Sequence, residues 1–137
     1  MSASDHITDR LEITDLFTRL ARLLDEERHE LARTVYADDV VVHSPRGGEL
    51  RGIDEVLAFL RRSQVEGERT QHVHGDVQVS VDGERAEASA NQLVYFYRDG
   101  EPPHRSGGVR LDYTATRTPE GWRVREARIT PAWIRDH

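Results

Sequence analysis

The chain has 137 residues, 36% hydrophobic and 32% charged, which suits one compact domain over residues 1–137 and is too short for two of ordinary size. It has no cysteine, so a disulfide framework, a thiolate nucleophile, a zinc-thiolate site and an iron-sulfur cluster are excluded. With 19 basic and 25 acidic residues the net charge is −6 and the signs interleave, which argues against a nucleic-acid partner. No apolar run approaches the roughly 20 residues of a membrane helix, and Met1-Ser2-Ala3-Ser4-Asp5-His6 lacks the features of a secretory signal, so a cytoplasmic protein with no membrane partner is expected.

From about Asp5 to Arg28, the residues Ile7, Leu11, Ile13, Leu16, Phe17, Leu20, Leu23 and Leu24 recur mostly at spacings of three and four. That pattern predicts an amphipathic helix, with Ser4 or Asp5 as its cap. Glu30 to Tyr36 reads as a shorter helix ended by Asp38-Asp39. Val40-Val41-Val42-His43 is a short β-branched strand, and the turn cluster Ser44-Pro45-Arg46-Gly47-Gly48 returns the chain as Glu49-Leu50-Arg51. Ile53, Val56, Leu57 and Leu60 predict a third helix from Ile53 to about Ser63.

At Thr70 the period changes to two. Val73, Val77, Val79 and Val81 alternate with His72, His74, Asp76, Gln78 and Ser80, which puts both histidines on the face opposite the valines. Asp82-Gly83 signals a hairpin. Strands then run from about Glu84 to Arg98, Gly107 to Arg117 and Trp122 to Ile134, joined by a polar loop through Pro102-Pro103 and by the turn Thr118-Pro119-Glu120-Gly121. Gly107-Gly108 suggests a bulge or strong bend. Helices first and long strands last define an α+β fold, with three N-terminal helices packed on one face of a strongly curved, mostly antiparallel sheet.

Several residues are candidates for chemistry. His72 carries an imidazole, a group that titrates at about 6.5 in water and can take and return a proton near neutrality; the competing reading is a polar strand face in solvent. His43, at the end of the first short strand, is a candidate pocket residue or an ordinary rim residue. His43, His74 and His104 raise the question of a metal, but His72-Val73-His74 lacks the glutamate and later histidine of a cupin site, and no metal is expected. Tyr95 and Tyr97 share a face with Asn91 and Leu93 and can donate a hydrogen bond to a substrate carbonyl or enolate, or simply cover the sheet. Arg110 can hold an anionic oxygen or pair across strands with an acid. Leu93, Val109, Leu111 and Trp133 suggest an apolar open face through which the chain forms a homodimer.

The order of elements, together with Tyr36-Ala37-Asp38-Asp39-Val40-Val41-Val42, Arg51-Gly52-Ile53-Asp54-Glu55-Val56, Val81-Asp82-Gly83-Glu84-Arg85-Ala86 and Gly121-Trp122-Arg123-Val124, resembles the SnoaL-like branch of the nuclear transport factor 2 superfamily. The resemblance spans nearly the whole chain. It implies a cone-shaped fold with an internal pocket, and a membership of cyclases, dehydratases, isomerases and non-catalytic modules. Thr70-Gln71-His72 with Asp25 resembles the histidine and aspartate of the scytalone-dehydratase-like members, except that Leu24 stands where those enzymes commonly carry a tyrosine. The resemblance implies His72 as general acid/base and Asp25 as its orienting carboxylate, with Tyr95, Tyr97, His43, Arg110 and His74 as candidate substrate-binding residues. It further implies a cofactor-independent, dehydratase-like lyase or cyclase acting on a small cyclic or polyketide-type carbonyl compound, a hydrophobic or aromatic substrate. The alternative is a binding or dimerisation module of the same fold.

Overall fold

The computed structural model describes residues 3–137, with side chains described from His6 onward. Helix α1 spans Ala3–Asp25; the side chains of the expected caps, Ser4 and Asp5, lie outside the described residues. Its buried stripe is Asp9, Ile13, Leu16, Phe17, Leu20 and Leu23. Ile7 and Leu11 are 60% and 67% exposed and do not belong to it. At about 100° per residue both sit more than 100° around the helix from Ile13. Asp9 takes the place in the stripe that the apolar pattern assigned elsewhere. It is tolerated there because Arg117 Nη2 donates to it over 2.8 Å and Trp122 Nε1 over 3.1 Å. The Arg117 bond holds the Asp9 carboxyl below the usual carboxylate range.

A 3₁₀ helix covers His29–Thr34. Tyr36, expected to close a helix, instead opens β1 (Tyr36–Ser44), which turns into β2 (Gly48–Arg51). Helix α2 spans Ile53–Arg62. Four long strands follow, β3 (Arg69–Asp82), β4 (Arg85–Tyr97), β5 (Arg105–Thr118) and β6 (Gly121–Asp136). They form one open six-stranded sheet in the order β2-β1-β6-β5-β4-β3. The β1–β6 pair is parallel and the other four pairs are antiparallel. The helices pack on the concave face, where Leu16, Phe17 and Leu23 meet Leu111, Trp122 and Val124 in the core.

Strict alternation breaks in β3. Gly75 is paired with Asn91 and Gln78 with Ser89, so three steps of β3 match two of β4. This is a β-bulge, and one extra residue exchanges the faces on either side of it. Thr70, His72 and His74 therefore share the inner face with Val77, Val79 and Val81, while Val73 points outward and is 48% exposed. The expectation that His72 lies opposite Val77, Val79 and Val81 is thus corrected. Asp76 carries the kink in the left-handed region, at φ 52°, and accepts a hydrogen bond from Asn91 Nδ2 over 3.1 Å.

The outer face is also less apolar than the pattern suggested. Leu93 and Trp133 do lie outside, but Val109 packs inward and Leu111 is 2% exposed. The glycine pair marks the expected irregularity, with a register shift against β6 between Gly108 and Val109. A Cβ on Gly108 would collide with the Trp133 indole, so only glycine lets that indole lie on the sheet. Because a β-branched residue is strained in the left-handed region, Asp76→Val is expected to lower stability by about 1–2 kcal/mol whereas Asp76→Gly stays close to wild type. Chemical denaturation of the three proteins measures the difference.

Candidate active site

Between the concave face of the sheet and the two α-helices lies a cavity of about 490 Å³. Leu20, Leu24, Phe59, Leu60, Phe96 and Leu111 supply much of its apolar wall, and Thr70, His72 and Gln92 interrupt it. Asp25 is the last residue of α1, which packs along β3 and carries the carboxylate to the start of that strand. Three donors converge on it. Thr70 Oγ1 donates to Oδ1 over 3.0 Å, the His72 backbone N–H to Oδ2 over 2.9 Å, and His72 Nδ1 to Oδ1 over 2.6 Å. The side chains of His72 and Asp25 are only 10% and 23% exposed. A carboxylate on Nδ1 fixes the tautomer that leaves the Nε2 lone pair available, and stabilises an imidazolium when one forms. The pair is brought together by the bulge, since without it the His72 ring would leave the concave side.

His74 is next on the same face. Its Nε2 donates to Gln92 Oε1 over 2.8 Å, and its ring lies 5.7 Å from that of Phe17. Burial pushes its pKa down, against the hydrogen bond to Gln92, and the nearby His72 lowers it further. His74 is therefore a neutral neighbour of the His72 pair.

Two phenols that the alternation pattern did not single out reach this cavity, Tyr36 from the start of β1 and Tyr113 from β5. Burial raises both phenol pKa values, so each stays a neutral donor. Tyr113 stacks on Phe17 at 4.7 Å. A period-two reading anchored on buried Leu111 would have found Tyr113. Tyr36 was hidden by its assignment to a helix end.

Other candidates are not in the cavity wall. Tyr95 and Tyr97 alternate with inward-facing Val94 and Phe96, so they sit on the outer face. Arg110 is exposed between inward-facing Val109 and Leu111, and it too is an outer-face residue. His43 is also turned outward, with Nε2 3.4 Å from Glu126 and Nδ1 3.8 Å from Glu49, while its neighbours Val42 and Ser44 line the cavity. None of the four lines this cavity, because the period of two along each strand turns it to the outer face. Among the described residues no group of three or more His, Asp or Glu is arranged to hold a metal ion. No helix of the described residues is long and apolar enough to cross a membrane.

Comparison with known proteins agrees with this architecture. The model of the SnoaL-like domain matches residues 5–128. The chain belongs to the SnoaL-like family. A nuclear transport factor 2-like superfamily protein from Salmonella enterica serovar Typhimurium shares 17% identity at a TM-score of 0.80, over 92% of each chain. Hexachlorocyclohexane dehydrochlorinase LinA type 2 shares 13% identity at 0.87, over 99% of this chain and 93% of that one. A protein from Novosphingobium aromaticivorans, named as a candidate scytalone dehydratase, shares 14% at 0.85, over 99% and 92%. Identities this low show a common fold. No curated protein matches.

The buried His74 gives this SnoaL-like domain a testable pH response. The folded state binds the His74 proton more weakly than the unfolded chain, where histidine titrates at about 6.5. Its contribution to stability is complete above that pH and is lost as pH falls below it. Thermal melting between about pH 7 and pH 5 should show the decline, and His74→Asn should flatten it.

Proposed function

We propose that this SnoaL-like protein is a lyase or cyclase for a small, largely apolar carbonyl compound, with His72 as its acid/base and Asp25 as the group that orients and charge-balances it. The observation that carries this reading is that His72, held by Asp25 over 2.6 Å, lines a cavity of about 490 Å³. In the reaction, His72 Nε2 takes a proton from the carbon α to the substrate carbonyl, and the electron pair moves onto the carbonyl oxygen as an enolate. When the enolate collapses, a carbon–carbon double bond forms and the β-carbon–oxygen bond breaks. The departing hydroxyl receives the proton from Nε2 and leaves as water. One β-hydroxy carbonyl compound gives one enone and one water, the imidazole returns to its neutral form, and no cofactor enters the balance. If the enolate carbon attacks a second carbonyl instead, the same first step closes a ring.

Tyr36 and Tyr113, rather than Tyr95 and Tyr97, are the phenols suited to hold the enolate oxygen, because they are neutral donors on the cavity side. The likeness to proteins named a dehydrochlorinase and a candidate scytalone dehydratase supports an elimination. A homodimer through the outer face is part of the proposal. It is supported by half-exposed Val73, Leu93 and Trp133 on that face. Sedimentation velocity at micromolar concentration should show a dimer, and a monomer would remove that part.

The enzymatic reading is tested with a panel of β-hydroxy ketones, following enone absorbance and deuterium uptake at the α-carbon. His72→Ala should reduce turnover by roughly 10²–10⁴ with the fold intact. Asp25→Asn should act through the same unit, so that the double variant is no worse than His72→Ala alone. Full activity in His72→Ala overturns the mechanism. Tight binding of panel members by wild type, without exchange or turnover, selects the binding-module reading instead.

A further inference from the structure

The cavity holds a second imidazole–carboxylate pair. His104 Nε2 lies 2.8 Å from Glu68 Oε2, and both residues line the cavity, just outside the strand ends at its mouth. Glu68 precedes β3 and is well sheltered, with a side chain 22% exposed; that of His104 is 42% exposed. Although His104 follows Pro102-Pro103 in a loop, its backbone is pinned from both sides. Its N–H donates to the Phe96 carbonyl over 2.9 Å, and its carbonyl accepts from the His137 N–H over 2.8 Å. Neighbouring Arg105 is bound to Asp136 at 2.7 Å. His104 is thus a fixed imidazole with one nitrogen committed to a carboxylate, through Nε2 where His72 uses Nδ1.

The two pairs are at different depths. His72 lies three residues beyond the start of β3, about 10 Å along the strand. The two imidazoles therefore enter the wall at separate points, and that wall also includes apolar Leu24, Leu60 and Phe96. Such a cavity suits a molecule that is polar at two ends and apolar between them.

We infer that His104, oriented by Glu68, is a specificity-determining residue that hydrogen-bonds a second oxygen of the substrate, at the end remote from the reacting carbon. The substrate class is then an elongated apolar carbonyl compound with a hydroxyl or carbonyl group at the end remote from the carbon that His72 deprotonates. This inference rests on His72 being the base. A site built to hydrogen-bond an oxygen discriminates strongly against an analogue that lacks it, because its own polar group is left unpaired.

The test uses two aldol adducts of acetone, one with naphthaldehyde and one with a naphthaldehyde that carries a hydroxyl on the far ring. Wild type should turn over the hydroxylated adduct with a KM about 10-fold lower than the plain one. His104→Ala should raise KM for the hydroxylated adduct about 10-fold, and leave its kcat, its α-deuterium exchange and both constants for the plain adduct within about twofold. His104→Gln, which keeps a hydrogen-bonding group and a partner for Glu68, should recover part of the preference. Matching melting temperatures separate these effects from misfolding. Equal losses on both adducts, or no preference in wild type, would overturn the inference while leaving His72 as the base. Absence of α-exchange by wild type on either adduct would overturn the His72 reading and this inference with it.

Discussion

Four strands of 13 to 16 residues cannot lie flat against a 23-residue helix, and the way the sheet bends around α1 governs everything else in the molecule. Register shifts in the β3–β4 and β5–β6 pairs provide the bending. The shift at Gly75–Asp76 does more than curve the strand. It gives β3 two inward-facing sets, Thr70 and His72 in the cavity wall with His74 behind them, and Val77, Val79 and Val81 towards the other end. One strand thereby supplies polar groups to the cavity and apolar groups to the core.

Helix α1 ties the two ends of the cone to different chemistry. Near its start, Asp9 is closed in by Arg117 and the Trp122 indole, with the guanidinium 4.7 Å from the ring centroid. Every polar atom there has a partner, so the group is structural. About 24 Å further along the helix, Asp25 accepts three hydrogen bonds from β3. Two of those donors belong to His72, which lines the cavity. The contrast between these aspartates is one of surroundings. Asp9 faces a fixed cation in the core, whereas Asp25 faces an imidazole beside an open space.

The histidines differ in the same way. His72 and His104 are backed by carboxylates, His74 by the neutral amide of Gln92, and His43 by two glutamates on the outer face. Burial keeps His74 neutral, so it adds no positive charge beside the His72 pair. The phenols Tyr36 and Tyr113 are kept protonated by the same apolar surroundings. The polar groups in and around the cavity thus differ in what lies behind each one.

The element order, the α+β class and the candidate pairing of His72 with Asp25 were legible in the sequence, because helical spacing, period-two alternation and turn residues are local signals and the family motifs are contiguous. The inner and outer faces of β4 and β5 were latent in the same alternation, but which face is inner depends on where α1 packs. For that reason Tyr95, Tyr97 and Arg110 exchanged places with Gln92, Phe96 and Tyr113. The side on which His72 emerges could not be read at all, since the bulge at Asp76 is visible only through its partner strand: it is one more residue in β3 than β4 matches. Asp9 among leucines and Glu68 beside His104 depend likewise on partners 108 and 36 residues away. Local sequence determined which segments would be helix or strand; long-range pairing alone decided which side chains share the cavity, because burial and hydrogen bonding are set by neighbours that the chain brings from elsewhere.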